Sequence, residues 1–484
     1  MTDNDGLGRK FASSAGWVFV EQWSSKLISL ALFALLARLL TPSDFGLVAL
    51  ATAFIAILQV LANSGFSKAL IQKPSLDPRD ATTAFWTSLA ISAVAYAALV
   101  VAAAPIAQAF SQPTLAPVLI VLGATIPLSA LSRTPAALLA RGFAFRTLSV
   151  RTIGAGVIGA AVALPLAFLG AGVWALVAQS IAETLVAVVL LWASTSWRPS
   201  LAFSLASLRS LWRTGVSLLG IELLDVVQSQ IDKLLVGVLF STADLGVYSL
   251  AQRLGLMIQE LITTVVSRVS LTTFSRAQDD LGRVVRIFRQ LTFATATLSF
   301  PVFALVAALA TQIVPFAFGP GWDAAVPLIW IMAGGWAFAS VAMFDRGALV
   351  GTGNPGTALW LAAVQNVVSV GLVVVFAPLG LLGIAFSRFA RVLTWPLRLF
   401  ALHRAIGLPV WPYVWQVLKC ALAVAPAVLA IAALQLTPWA SSGGAFWTFA
   451  VPLGVAGFDF TVALNLLIAD RESRAALWNR SRAL

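Results

Sequence analysis

Between Glu222 and Lys233 the sequence sets four charges in a segment otherwise rich in Leu, Val and Ile. At about 100° per residue, Glu222, Asp225, Gln228, Ser229, Asp232 and Lys233 fall within about 140° of one helix face. Two more apolar segments follow the same design. Gln252, Arg253, Gln259, Glu260, Thr263, Thr264 and Ser267 share one arc, and Glu21, Gln22, Ser25, Lys26 and Ser29 share another. Glu183, Arg388 and Arg391 stand inside further apolar runs. Groups placed this way can hold ions or a charged ligand, or can neutralise one another across neighbouring helices. Glu21, Glu183, Glu222, Asp225, Asp232 and Glu260 are the carboxylates open to ion coupling or to charge pairing. Asp232 and Lys233 also fit simple neutralisation, while Lys68 and Arg391 fit snorkelling to headgroups. Covalent and metal chemistry is not indicated. One Cys, Cys420, and one His, His403, exclude an intrachain disulfide, a cysteine metal cluster and a histidine-based site. No GxxxxGK[ST] loop and no HExxH motif occurs, and GTGNPG from Gly351 to Gly356 reads as a turn, so no cofactor or metal is expected.

Such positions need a scaffold that turns them away from lipid, and the composition indicates one. Of 484 residues, 60% are hydrophobic and 10% charged, against about 25% charged in an ordinary soluble domain. The chain therefore reads as an all-α polytopic membrane protein. Apolar windows long enough to cross a bilayer lie near 15–39, 45–71, 82–104, 117–139, 148–169 and 171–193, then near 214–240, 243–270, 289–318, 324–350, 356–377, 379–402, 413–435 and 446–468, about fourteen in all. Thr195 to Arg213, with Trp197, Arg198, Arg209 and Trp212, reads as an interfacial linker. The seventh window would insert poorly alone. Each central charge costs about 2.5–3.5 kcal/mol, whereas its apolar residues return only about 0.3–0.6 kcal/mol each. Its polar face and those of its neighbours should meet in a common hydrated cavity.

Alternate loops differ in charge. Arg9 and Lys10, Lys68, Lys73 and Arg79, Arg141 and Arg146, Arg198 to Arg213, Arg268 to Arg286, Arg398 and Arg404, and Arg471 to Arg482 fall on one side. That side is cytoplasmic by the positive-inside rule, which places both termini there. The net charge of +12 thus reports topology, and no nucleic-acid partner is expected. No cleavable signal is evident. Arg133, Arg141, Arg151, Asp345 and Arg346 fall nearer cytoplasmic ends, where they could recruit an anionic substrate or fix topology. The connections SQPTLAP, LGAGV and APLGLLG are too short to fold into the outer domain that a membrane glycosyltransferase or polymerase needs.

A turn is repeated. LLTPSDFGLVALA from Leu39 to Ala51 matches LFSTADLGVYSLA from Leu239 to Ala251 at Asp44 and Asp244, Gly46 and Gly246, Leu50 and Leu250, and Ala51 and Ala251. Thr41 or Ser241 as N-cap, with an Asp three residues on, accounts for the polar part of the pattern. Pro117 and Pro327 correspond in the same register. Residues 1–200 and 201–408 then form two pseudo-symmetric six-helix lobes of like orientation, and 409–484 adds two helices and a tail.

LARLLTPSDFGLVALATAF from Leu36, GFSKALIQKP from Gly65 and SQIDKLLVGVLFSTADLGVYSLAQRL from Ser229 resemble the polysaccharide-transporter branch of the multidrug, oligosaccharidyl-lipid and polysaccharide flippase superfamily. The resemblance runs along nearly the whole chain. It implies the flippase fold of that superfamily and a place in the bacterial inner membrane. It further implies translocation of an undecaprenyl-pyrophosphate-linked oligosaccharide for exopolysaccharide, capsule or O-antigen assembly, by alternating access and without covalent chemistry. Polysaccharide polymerase and export proteins are the implied partners, and H+ or Na+ the implied coupling ion. Lys26, Lys233 and Arg253 are the residues assigned to the pyrophosphate. The alternative within the superfamily is an exporter of drugs or small cations, which would favour an anionic cavity.

Overall fold

The computed structural model describes residues 23–63, 65–73, 76–267, 274, 280–435, 454 and 456–464. Regular structure among them is helical throughout. Nine helices, some joined across a break, are long and apolar enough to cross a membrane among the described residues. By packing, the chain divides into two units: Met1–Ser249 with Ala317–Gly319, and Leu250–Phe316 with Pro320–Leu484.

The first unit contains α1 (23–39), α2 (Pro42–Asn63), α3 (Phe66–Gln72), α4 (Pro78–Ala109), α5 (Leu115–Gly123), α6 (Thr125–Arg141), α7 (Phe145–Phe168), α8 (Val173–Ser194), α9 (Leu205–Leu239) and the start of α10 (Thr242–Ser267). Each start has a local cause. Thr41 and Ser241 both form the expected boxes: their backbone N–H and hydroxyl donate to Oδ2 of Asp44 and Asp244, whose N–H groups donate back to the hydroxyls. Asp77 and Asp80 make a reciprocal box at α4, with Pro78 in the first turn where its missing N–H costs nothing. The break between α5 and α6 at Ala124 precedes Pro127, which offers no N–H and crowds the Gly123 carbonyl.

Two expectations about boundaries change. The second window is two helices, α2 and α3, separated where Gly65 takes a left-handed conformation at φ 66°. The expected interfacial linker is extended only to Ser204, whose hydroxyl accepts from Ser207 N–H and begins α9. Leu208 and Leu211 then pack on Phe66, Leu70 and Ala84, so apolar burial draws the Trp- and Arg-rich stretch into the helix. The remaining connection is pinned by aromatic rings: Phe85 meets Trp192 and Trp197 edge-on, Arg198 lies 5.3 Å over Trp192, and Trp86 Nε1 donates to Ser200 O.

α9 packs on α2, α3 and α4. At 35 residues it is long enough to span a membrane, yet neither it nor α10 counts among the nine apolar spans, because these two carry the charged stripes.

The second unit contains most of α10, then α11 (Leu281–Ala308), α12 (Ala310–Phe318, except its end), α13 (Ala325–Ala342), α14 (Phe344–Gly351), α15 (Pro355–Phe376), α16 (Gly380–Ala390), α17 (Trp395–Ile406), α18 (Val410–Leu422) and α19 (Ala425–Gln435). α13 packs between α11 and α16, and Gly255 of α10 lies so close to the Trp336 indole that a Cβ there would overlap the ring. Pro396 and Pro426 each follow a break, as a ring in the second or third helical position requires.

Candidate functional site in the first unit

Four helices of the first unit line a partly open cavity of about 410 Å³. α1 contributes Ser25, Ile28, Ser29 and Leu32, one face at spacings of three and four. α6 contributes Ser129 and Ser132; α7 contributes Arg151, Thr152, Ile153, Ala155 and Gly156; α8 contributes Gln179, Glu183, Thr184 and Ala187. Every polar side chain in that lining is half-buried.

Local hydrogen bonding fixes what these groups offer. Ser129 Oγ donates to Ile126 O at 2.9 Å, Ser132 Oγ to Ser129 O at 2.9 Å, Thr152 Oγ1 to Leu148 O at 3.0 Å and Thr184 Oγ1 to Ser180 O at 2.8 Å. With those protons engaged on their own helices, the hydroxyls present lone pairs. Gln179 Nε2 donates to Glu183 Oε1 at 2.8 Å, so the amide oxygen also remains an acceptor. Ser25 Oγ is buried without a hydrogen-bond partner. Gly159 of α7 makes room for the carboxylate: a Cβ there would overlap Glu183 Cγ.

This cavity gathers Glu183 with Ser25 and Ser29 of the α1 stripe. Arg151, singled out as a charge near a cytoplasmic end, also lines it, whereas the residues assigned to the pyrophosphate do not. Lys26 is half-buried on α1, next in sequence to Ser25. Lys233 is half-buried on α9, its Nζ donating to Gln230 Oε1 at 3.1 Å. Glu222 is half-buried and Asp225 exposed, whereas Asp232 is fully buried at 0% exposure, so the α9 face passes from surface to packed interior along its length. Arg253 and Glu260 are exposed on the part of α10 that belongs to the second unit. Glu21 lies outside the described residues.

Several groups with an open role have structural partners. Arg141 Nη1 donates to Leu70 O at 3.1 Å and Ile71 O at 3.3 Å, and also to Lys73 O, capping α3. Arg133 Nη2 donates to Gln59 O at 3.2 Å. In the second unit Asp345, 3% exposed, lies 2.8 Å from Arg398 Nε. His403 Nδ1 is 2.9 Å from Leu408 O at the end of α17, an ordinary boundary contact.

Sequence reasoning missed Gln179, Ser129, Ser132, Thr152 and Thr184 as a group, and read Arg151 as a charge near a cytoplasmic end that could recruit an anionic substrate or fix topology. The available signal was weak: Gln179 and Glu183 are four residues apart, and Ser129 and Ser132 three apart, so each pair shares a helix face.

The nine candidate helical spans among the described residues mark a multi-pass membrane protein, and its fold is that of the solved structures it superposes on. The lipid II flippase MurJ, in an inward closed conformation, superposes with a TM-score of 0.75 at 14% identity, covering 92% of this chain and 97% of that one. An inward-facing multidrug resistance MATE family transporter of the MOP superfamily gives 0.64 at 16% identity, covering 79% and 94%. Residues 35–327 match the family described as "Polysaccharide biosynthesis protein", more than half of the chain, and the protein belongs to that family. It is 27% identical over 360 residues to the succinoglycan biosynthesis transport protein ExoT of Rhizobium meliloti (strain 1021), covering 74% of this chain and 73% of that one. It is 23% identical over 332 residues to the lipopolysaccharide biosynthesis protein WzxC of Escherichia coli (strain K12), covering 67% of each.

Proposed function

We propose that this protein translocates a polyprenyl-pyrophosphate-linked oligosaccharide repeat unit across the bacterial inner membrane during exopolysaccharide, capsule or O-antigen assembly. The observation that carries this reading is the family match over residues 35–327, supported by relatives whose names assign them to transport or biosynthesis of succinoglycan and lipopolysaccharide. Transport proceeds by alternating access, with no bond made or broken. Lys26, Lys233 and Arg253 are assigned to the pyrophosphate, whose charge suits cations in an apolar surround. Glu222 and Asp225 are assigned to coupling with an H+ or Na+ gradient, and both termini face the cytoplasm.

The test is transport by the purified protein in proteoliposomes loaded with a fluorescent polyprenyl-pyrophosphate-linked oligosaccharide. The expected result is protein-dependent exposure of the label on the opposite leaflet, read by quenching with a membrane-impermeant reductant. Absence of flipping, together with gradient-driven export of organic cations, would replace this reading with the drug or cation exporter.

A further inference from the structure

We propose that the cavity among α1, α6, α7 and α8 is a saccharide subsite that takes one neutral sugar ring of the lipid-linked substrate. The proposal rests on the translocation reading above and assigns the sugar a place apart from the cations assigned to the pyrophosphate.

Charge balance comes first. The lining holds one carboxylate, Glu183, and one guanidinium, Arg151. A diphosphate in this space would meet Glu183, and a bare metal cation would meet Arg151. In a low-dielectric surround either encounter is strongly unfavourable. A neutral ligand meets neither penalty.

Hydrogen-bond polarity narrows the ligand further. Ser129, Ser132, Thr152 and Thr184 direct their protons to backbone carbonyls, and Gln179 directs an amide proton to Glu183. What remains in the lining from these side chains is a set of acceptors. The complementary ligand carries several O–H donors, which describes a polyol. The rest of the wall is apolar: Ile28, Leu32, Ile153, Ala155 and Ala187. Such a wall suits the C–H face of a pyranose. The volume of about 410 Å³ falls within the range of about 300–1,000 Å³ typical of small-molecule sites.

Gly156 supplies the means of testing this. It lines the cavity on α7, and a Cβ added there would have no neighbour within 4 Å. Gly156→Leu therefore starts from open space at its Cβ and extends a side chain from the cavity wall, and leucine suits a helix better than glycine.

Full-length protein in lipid nanodiscs is to be titrated with two probes: the lipid-linked repeat unit extracted from the producing strain, and undecaprenyl pyrophosphate alone. Wild type should bind the sugar-bearing lipid about tenfold more tightly, the effect of one or two well-made buried hydrogen bonds. Gly156→Leu should bind both lipids alike, with unchanged affinity for undecaprenyl pyrophosphate and an unchanged unfolding temperature. Gln179→Ala, which removes a polar partner without filling space, should lose about threefold of the preference. Full preference retained in Gly156→Leu overturns the proposal. So does an equal loss for both lipids, which would place the diphosphate in this cavity. If wild type binds neither lipid, the translocation reading itself fails. If it binds both lipids equally, only the subsite fails.

Discussion

Gly46 and Gly246 each lie against the first-turn carbonyl of the other's helix: a Cβ on Gly46 would overlap Thr242 O, and one on Gly246 would overlap Pro42 O. The same spacing of four residues thus recurs in both directions, and Ser43 Oγ and Thr242 Oγ1 meet at 2.9 Å beside it. The repeated turn read from sequence is therefore a contact between its two copies, arranged with local two-fold symmetry. The matching glycines are the residues that let two backbones approach. Gly46→Ala or Gly246→Ala should each cost about 1–3 kcal/mol, because the neighbour is backbone and has no alternative rotamer. The double variant should cost less than the sum, since separation forced by the first methyl accommodates the second. Thermal unfolding of the purified variants measures this, and full additivity would mean that the two sites do not share a contact.

The pair of buried Asp345 and half-buried Arg398 gives a second expectation. Arg398 Nη2 also donates to Ala342 O at 2.7 Å, tying α17 to the end of α13. Asp345→Ala should destabilise the protein by about 1–3 kcal/mol, as the half-buried Arg398 guanidinium then loses its buried counter-charge. Replacing both by apolar residues of similar volume should recover much of that loss. An unchanged unfolding temperature with abolished transport would instead make Asp345 a substrate-handling residue.

Local patterns were legible in the sequence wherever one turn contains the whole interaction. The boxes at Thr41 and Ser241 involve residues three apart and form as read. Long apolar runs marked the membrane helices, and the segments around Asp44 and Asp244 pointed to the flippase superfamily. Contacts between distant segments were not legible. Asp345 and Arg398 share no spacing that a helix would reveal, and a serine inside a helix, such as Ser132, gives no sign of whether it faces a cavity or only its own backbone. The start of α9 was hidden for another reason: Trp and Arg raise the apparent polarity of 205–213, while burial of Leu208 and Leu211 decides the outcome.

The assignment of cations to the pyrophosphate yields a functional expectation. Lys26→Ala, Lys233→Ala and Arg253→Ala should each reduce polymer export severalfold while the protein accumulates normally in the membrane. A single charge-assisted contact is worth about 1.5–3 kcal/mol, roughly tenfold or more in affinity. Lys233→Arg should retain more export than Lys233→Ala, because it keeps the charge in place of a neutral stub. Normal export by all three alanine variants would remove the assignment.

The orientation proposed from the loop charges can be tested by labelling. Cys420 is buried at 1% exposure, so a membrane-impermeant maleimide should leave the parent protein unlabelled. Single cysteines at Ser111 and Gly170 occupy the turns between α4 and α5 and between α7 and α8, both with positive φ. Gly170 has nothing within 4 Å of an added Cβ, so a thiol there is accessible although its backbone is strained. Cells expressing either variant should react from outside. A cysteine at Arg79, in the first turn of α4, should react only after the membrane is opened. Ser442 lies outside the described residues; on the orientation proposed from the loop charges, its cysteine should label from outside as well. Labelling of Ser111 and Gly170 only in opened cells would invert the topology and place the basic loops, against their charge, on the outer face.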